Sequence, residues 1–336
     1  MRDKGGVVVN KNVMLTGIKP TGHPHLGNYI GAIKPALQLS KQREGEALYF
    51  IADYHALNAV QDPMKFREYT KEVAATWLSL GLDEHVIFYR QSDVPEILEL
   101  YWILACLTPK GLMNRAHAYK AKVDQNIEAG VDEDTGVNMG LYTYPILMAA
   151  DILLFQSNYV PVGKDQIQHV EIARDIASYF NNAFGEIFVL PEYIIQEEGA
   201  IVPGLDGRKM SKSYGNVIPL FEEPEKLKKL IFKIKTDSSL PSEPKELETL
   251  FMLYKEFATA EEVTLMKEQY ATGIGWGEVK KELLRVINRE LEEPRKKYEM
   301  YMNEPQLLQE AIKKGAERAR EIAKKNLVKI KKRIGC

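Results

Sequence analysis

Short apolar runs alternate with helical patterns along the first half of the chain. Largely apolar runs, typical of buried strands, lie at residues 7–9, 13–15, 47–52 and 85–89. Residues 66–80 and 96–107 instead repeat apolar side chains at helical spacing, and Gly81 and Pro109 end these two patterns. The alternation predicts an α/β fold with a Rossmann-type, doubly wound parallel sheet and helices on both of its faces. Ligands of such a sheet bind at the carboxyl ends of its strands.

The pattern changes after Pro219. Residues 222–235 and 283–302 are strongly helical, with opposite charges four residues apart, and no strand pattern lies between them. We therefore predict two domains, a Rossmann-fold catalytic domain over residues 1–217 and an α-helical domain over residues 218–336.

Two segments of the first domain interrupt the periodic patterns. Residues 130–138 are polar and contain three consecutive acidic side chains, so we expect an exposed, flexible loop there. Residues 186–198 are interpreted as a strand followed by a loop.

Composition is ordinary for a globular protein, with 45% hydrophobic and 27% charged residues. No run of about 18 apolar residues occurs, so we expect no membrane span, and the first residues lack the long apolar stretch of a signal peptide. The two cysteines, Cys106 and Cys336, are too few for a cysteine-rich metal site and suggest a reducing, cytoplasmic location.

Charge is unevenly distributed although the net charge is only −2. Residues 311–336 hold ten Lys or Arg against two Glu, and residues 226–235 hold five lysines. Such runs are consistent with solvated helix faces and equally with a surface that contacts the phosphates of a nucleic acid.

Two motifs about one domain apart carry the chemistry. The first motif, residues 16–32, is rich in Gly, Pro and His and follows an apolar run, as expected of backbone that approaches an anion at a helix N-terminus. Its central part, residues 19–28, is called the glycine-histidine turn below. The lysine loop, residues 209–213 with the sequence Lys-Met-Ser-Lys-Ser, places two lysines on a short polar segment. Together the motifs predict chemistry on a nucleoside triphosphate.

The pair resembles the two signatures of class I aminoacyl-tRNA synthetases. Between them, residues 142–154 and 161–169 are similar to bacterial-type tryptophanyl-tRNA synthetases, and the likeness is specific from about residue 14 to 216. The spelling Pro-His-Leu-Gly-Asn departs from the His-Ile-Gly-His form, and Lys19 stands where many relatives carry Gln.

The resemblance implies the site residues. Catalytic roles fall on His25, Asn28, Lys209, Lys212 and Ser213. ATP binding falls on Lys19, Thr21, Gly22, Gly27, Asn28, Lys122, Gly163, Asp165, Lys209, Met210, Ser211 and Lys212. Tryptophan binding falls on Tyr144, Met148, Asp151, Val160, Val162, Gln166 and His55. No residue is assigned as a metal ligand, and Mg²⁺ is expected with ATP.

Three of these residues recur at positions i, i+4 and i+7, so Tyr144, Met148 and Asp151 share one helix face. A carboxylate on this largely apolar helix needs a partner, and an indole N–H, which can only donate, suits it. Tyrosine enzymes typically carry Gln at the place of Met148, so this thioether favours tryptophan. The plain alternative is a core helix with a salt-bridged Asp151.

The resemblance implies a tryptophan–tRNA ligase that forms tryptophanyl-adenylate and pyrophosphate and then charges tRNA(Trp), whose anticodon the helical domain would bind. It also implies a homodimer. Three alternatives stay open: the tyrosine-specific sister enzyme, a small nucleotidyltransferase with a similar phosphate motif, and a synthetase-like RNA-binding protein that has lost catalysis.

Overall fold

The fold is taken from a computed structural model that describes residues 12–42, 45–195 and 202–336. The apolar run at residues 7–9 and the last part of the predicted segment 186–198 lie outside the described residues. None of the described helices is long and apolar enough to cross a bilayer.

A five-stranded parallel sheet forms the centre of the described structure. Its strands are β1 (Val13–Ile18), β2 (Glu46–Ile51), β3 (Ile87–Arg90), β4 (Tyr159–Val162) and β5 (Glu192–Ile195). Their order across the sheet is β3-β2-β1-β4-β5, and all neighbours are parallel. The chain winds outwards in one direction from β1 to β3 and in the other from β4 to β5, so the topological switch point lies between β1 and β4. The predicted doubly wound fold is confirmed.

Helices connect the strands and make up most of the C-terminal third of the described chain. They are α1 (Leu26–Asn28), α2 (Lys34–Gln42), α3 (Asp53–Ala56), α4 (Pro63–Ser79), α5 (Glu96–Ala105), α6 (Lys110–Met113), α7 (His117–Glu128), α8 (Met139–Leu154), α9 (Ile167–Phe184), α10 (Pro224–Phe232), α11 (Thr249–Tyr254), α12 (Ala260–Thr272), α13 (Trp276–Asn303) and α14 (Pro305–Ile334). A π-helical turn, Tyr29–Ile33, joins α1 to α2.

Side chains that alternate along the strands divide the interior into two cores. Met14, Tyr49 and Phe88 point to the face whose core also includes side chains of α2, α4 and the helices α10–α13. Leu15 and Phe50 point to the opposite face, which α5, α8, α9 and α14 cover. This alternation is the period-two pattern of strands, here apolar on both faces because both are covered.

The long helix α14 packs directly on the edge strand β3. Gly315 lies so close that a Cβ added to it would stand 1.7 Å from the carbonyl oxygen of Phe88. The guanidinium of Arg320 pairs with Glu96 at the start of α5, with Nη2 3.0 Å from Oε1. Part of the basic charge of residues 311–336 is therefore used to hold this helix on the sheet.

Most predicted boundaries differ from the observed ones by a few residues. The helix expected over residues 66–80 begins at Pro63, because the Asp62 side chain accepts hydrogen bonds from the backbone N–H groups of Met64 and Lys65 and caps the helix. The helix expected over residues 222–235 is shorter, Pro224–Phe232.

Candidate active site

The glycine-histidine turn leaves β1 at the carboxyl edge of the sheet, beside the switch point. Gly22 has φ +145°, a conformation that favours glycine. His25 then caps α1: its Nδ1 accepts from the backbone N–H of Asn28 at 3.3 Å, and the Asn28 Oδ1 accepts from the backbone N–H of His25 at 3.1 Å. These reciprocal bonds form a capping box that fixes both side chains at the start of the helix.

The hydrogen bond that Nδ1 accepts also determines which ring nitrogen of His25 carries the proton. Burial, reinforced by the nearby Lys212 ammonium, lowers the pKa of His25 to about 4. The imidazole is therefore neutral at pH 7, and since its Nδ1 accepts, its proton resides on Nε2. His25 thus offers a neutral N–H donor.

The lysine loop is held by the buried side chain of Asn216. The Asn216 Oδ1 accepts from the backbone N–H of Ser211 at 2.8 Å, and its Nδ2 donates to the Lys209 carbonyl at 3.1 Å and to Asp206 Oδ1 at 2.7 Å. The hydroxyls of Ser211 and Ser213 lie 2.8 Å apart. A single amide therefore links the first and the middle residue of the loop.

The glycine-histidine turn and the lysine loop meet in the structure. The Lys212 Nζ lies 2.8 Å from the position that a Cβ on Gly22 would occupy. The Met210 Sδ lies 3.3 Å from the backbone nitrogen of Gly27 and accepts its N–H. The segment after the loop pairs with the turn as well, because the Leu26 N–H donates to the carbonyl of Ile218 at 2.9 Å. The Nε2–H of the neutral His25 imidazole and the ammonium of Lys212 thus lie close together beside the turn, a donor set suited to phosphate oxygens.

An anionic side chain lies next to this donor set. Glu72 on α4 is buried, and its Oε2 is 2.7 Å from the Nδ1 of His23. Burial raises the pKa of Glu72, while His23 and Lys212 act in the opposite direction. The partly desolvated Lys212, whose pKa is lowered by desolvation, therefore has Glu72 as a nearby counter-charge.

A buried carboxylate, Asp151 on α8, lies beside the segments that follow β2 and β3. It is fully buried, and its Oδ2 is 2.9 Å from the Nε2 of His55. The Nε2 of Gln91 donates to Oδ1 at 2.8 Å and to Oδ2 at 2.9 Å. Burial raises the pKa of Asp151, and the hydrogen bonds from His55 and Gln91 oppose that shift.

A second polar pair borders the same region. The hydroxyl of Tyr144 is hydrogen-bonded to the Nε2 of His169 on α9. Burial, together with the ammonium of Lys19, lowers the pKa of His169 to about 4, and burial raises the pKa of Tyr144 to about 12. Both groups are neutral at pH 7, so the pair adds polarity without charge.

The chain was compared with known proteins. The family described as tRNA synthetases class I (W and Y) matches residues 10–313. A tryptophan–tRNA ligase of Neisseria meningitidis serogroup A is 51% identical over 331 residues, which cover 97% of this chain and 98% of the relative. A tryptophan–tRNA ligase of Pseudomonas aeruginosa is 52% identical over 328 residues, covering 96% of this chain and 73% of the relative.

The chain belongs to the class I tryptophanyl-tRNA synthetases. A solved member, the tryptophanyl-tRNA synthetase of Campylobacter jejuni complexed with ADP and tryptophan, superimposes with a TM-score of 0.86 at 44% identity, covering 96% of this chain and 100% of that one. A tyrosyl-tRNA synthetase of Archaeoglobus fulgidus shares the fold at 20% identity and a TM-score of 0.62. The recognised family, the fold class and the class of enzyme expected from the sequence are thus confirmed.

The other residues that the resemblance to tryptophanyl-tRNA synthetases singled out follow β4 or lie near it. Val160 and Val162 are buried in the core that includes the partly buried Met148. The Gln166 Nε2 donates to Asp165 Oδ2 at 3.0 Å, and a Cβ on Gly163 would stand 2.8 Å from Asp165 Oδ1. These contacts gather residues 163–166 at the carboxyl end of β4.

Three residues predicted to bind ATP are exposed or only partly buried. Lys19 and Thr21 are exposed in the glycine-histidine turn. Lys122 on α7 is partly buried, and its Cε lies 3.6 Å from where a Cβ on Gly136 would stand. Lys122 therefore packs beside the loop 130–138. Its role, like the individual roles of the other site residues, stays a prediction.

Sequence reasoning missed Gln91 and Asn216 and assigned no site role to His169. Gln91 directly follows the third strand, and a polar residue at a strand's carboxyl end is a signal that could have been used. Asn216 lies three residues beyond the lysine loop, and no local pattern marks it. The partners of both residues are distant in sequence or in an irregular loop, which is why periodicity does not reveal them.

Proposed function

We propose that the conserved chemistry of the family is carried out here by the residues just described. The protein is a tryptophan–tRNA ligase: it activates L-tryptophan with ATP to tryptophanyl-adenylate and pyrophosphate, then transfers tryptophan to the 3′ end of tRNA(Trp). The observation that carries the residue assignment is the meeting of Lys212 with Gly22 and of Met210 with Gly27.

In the first step the tryptophan carboxylate attacks the α-phosphate in line, and the bond to the leaving pyrophosphate breaks. No protein nucleophile is needed, so catalysis consists of positioning and charge stabilisation. The Nε2–H of His25 and the amide of Asn28 hold the phosphates or ribose. Lys209 and Lys212 stabilise the negative charge that moves onto pyrophosphate, and Ser213 supports the loop that carries them.

Mg²⁺ enters as part of the substrate complex with ATP. The donor set of the turn and the lysine loop consists of N–H and ammonium groups, which bind phosphate oxygens but do not ligate Mg²⁺. The nearby carboxylate of Glu72 is paired with His23, whose Nδ1 lies 2.7 Å from Oε2. We therefore assign the ligands of Mg²⁺ to the phosphates and waters and none to the protein.

Asp151 selects the amino acid. A buried carboxylate that accepts an indole N–H leaves an unpaired acceptor when phenylalanine is bound, and such mismatches give selectivity of roughly 10⁴–10⁵, a value known from the sister tyrosine enzyme. Val160, Val162 and Met148 line the ring pocket, His55 and Tyr144 complete its polar edge, and Gln166 holds the ammonium or carboxylate. Supporting this choice, the relatives at 50–55% identity are tryptophan enzymes.

The helical region, residues 218–336, binds the anticodon loop of tRNA(Trp), whose unstacked bases can be read by side chains. On α14 Lys314, Lys324, Lys325, Lys329 and Lys332 remain exposed and can contact phosphates. Following the habit of class I enzymes, transfer goes to the 2′-hydroxyl of the terminal ribose.

The enzyme works in the cytoplasm as a homodimer. Leu98 and Trp102 lie one turn apart on α5, and 69% of Trp102 is exposed. Met139, 70% exposed, begins α8, whose Thr143 is hydrogen-bonded to Tyr101 of α5 at 2.9 Å. These neighbouring apolar side chains support an interface between two copies.

The first experiment is ATP–pyrophosphate exchange with each of the twenty amino acids in the absence of tRNA. Exchange with tryptophan alone is the expected result. Strong exchange with tyrosine would overturn the assigned pocket and leave the fold untouched. No exchange from folded protein would instead favour a binding protein without catalysis, and an RNA-binding assay would then follow.

A further inference from the structure

Gln91 holds the carboxylate of Asp151 from directly behind β3. Gln91 is fully buried, and its single Nε2 reaches both carboxylate oxygens, at 2.8 and 2.9 Å. His55 contacts only Oδ2. The plane of the carboxylate is therefore set by two partners on different elements, the turn after β3 and α3.

The other end of the Gln91 amide has no partner. Its Oε1 is buried, and no hydrogen-bond donor reaches it among the described residues. Leaving a buried acceptor unpaired is unfavourable. A flipped amide would put Oε1 against the carboxylate, where two acceptors repel, so the orientation with Nε2 towards Asp151 is the favoured one.

The hydrogen bonds leave one acceptor position on Asp151. Each carboxylate oxygen can accept about two hydrogen bonds. Oδ2 receives His55 and Gln91, whereas Oδ1 receives Gln91 alone. One lone-pair position on Oδ1 therefore receives no hydrogen bond from the described residues.

We propose that Gln91 is a positioning residue for amino-acid selectivity, fixing the Asp151 carboxylate so that Oδ1 can accept the indole N–H. This inference rests on the proposed function, in which Asp151 recognises tryptophan. If Gln91 only filled space in the core, its replacement would weaken the activation of every amino acid equally.

The test compares tryptophan with 3-benzothienylalanine, in which sulfur replaces the indole N–H. The kcat/KM for ATP–pyrophosphate exchange is measured for both amino acids in the wild type and in Gln91→Met, which keeps the side-chain length and removes the donors. Hydrogen bonds to charged groups typically contribute about 1.5–3 kcal/mol, so we expect the tryptophan preference to fall about tenfold or more. The kcat/KM for the analogue should stay nearly unchanged.

Two further variants separate positioning from packing. Thr76→Val alters another fully buried side chain whose hydroxyl has no partner among the described residues, and it should keep the wild-type preference. In an Asp151→Asn variant, adding Gln91→Met should not lower the tryptophan preference further. The reason is that the carboxylate that Gln91 positions in the wild type is already absent.

The outcomes separate a failure of the proposed role of Gln91 from a failure of the proposed recognition of tryptophan by Asp151. Suppose that the wild type prefers tryptophan. If Gln91→Met then keeps this preference, or loses activity equally with both amino acids, the proposed role of Gln91 is overturned and that of Asp151 is not. A wild type that activates both amino acids equally overturns the role of Asp151, and the inference falls with it. If Gln91→Met does not fold, Gln91→Asn, with an amide one methylene shorter, gives the same comparison.

Discussion

Replacing Asn216 by alanine should loosen the lysine loop without touching the tryptophan pocket. The substitution removes the acceptor for the Ser211 N–H and the donor to the Lys209 carbonyl. At about 1 kcal/mol for each of these two bonds, the ordered loop loses about 2 kcal/mol relative to its open forms. The ratio of ordered to open loop then falls roughly 30-fold.

ATP kinetics should report this loss. In ATP–pyrophosphate exchange we expect kcat/KM for ATP to fall, by at most about the same 30-fold factor. Equilibrium binding of tryptophan, followed by intrinsic fluorescence or calorimetry in the absence of ATP, should be unchanged. The reason is that the loop contacts the glycine-histidine turn and its contacts do not include Asp151.

Asn181→Ala is the matched control. Asn181 also holds a loop through three hydrogen bonds, two from the backbone N–H groups of Ile187 and Phe188 and one to the Phe188 carbonyl. Its loss should lower stability and leave ATP kinetics alone. If Asn216→Ala behaves like this control, with wild-type kcat/KM for ATP, then the anchor is irrelevant to the loop's function and the reasoning is refuted.

Four shorter predictions concern catalysis and stability. Lys212→Ala should slow adenylate formation about 100-fold or more while tryptophan affinity changes little, because its charge acts mainly in the transition state; equal losses in single-turnover rate and affinity would remove that role. Asp151→Ala should abolish tryptophan activation in a protein whose circular dichroism is native, and unchanged tryptophan kinetics would contradict it. His25 has a folded-state pKa of about 4 against 6.5 for the free side chain, so the unfolded chain binds the extra proton and stability is lost as pH falls from 6.5 to 4. The size of that contribution is on the order of 3 kcal/mol, and urea titrations of wild type and His25→Gln should diverge across this range. Gly315→Ala should destabilise the fold by about 1–3 kcal/mol, since its Cβ meets the Phe88 carbonyl oxygen; an unchanged melting temperature would show that α14 shifts freely.

The sheet and the signature residues were predictable because their signals are local. Buried parallel strands are continuous apolar runs, and residues 47–52 correspond to β2 within one residue at each end. His25 and Asn28 lie three residues apart and are hydrogen-bonded to each other, so the arrangement of these two residues depends only on the local sequence. Asp151 attracted attention because it is an acidic residue on a largely apolar helix, and the structure shows that its side chain is buried.

Contacts between distant segments were not predictable. Gln91 and Asp151 are 60 residues apart, and only the fold brings them together. The amphipathic pattern of α14 predicts a helix with one buried face, but not that this face lies on β3. The proposed boundary at residue 218 follows the change in pattern, while the two cores include side chains from both sides of that boundary.

The docking of α14 on β3 bears on how the chain is made. Arg318 donates to the Glu84 carbonyl across 234 positions of sequence, so β3 emerges from the ribosome long before its covering helix. At about 5–20 residues per second, the delay between them is roughly 12–47 s. During that interval the nascent chain carries an uncovered apolar strand at the edge of its sheet. Nascent-chain chaperones should therefore bind chains that have passed β3 and release them once residues up to Ile334 have left the tunnel.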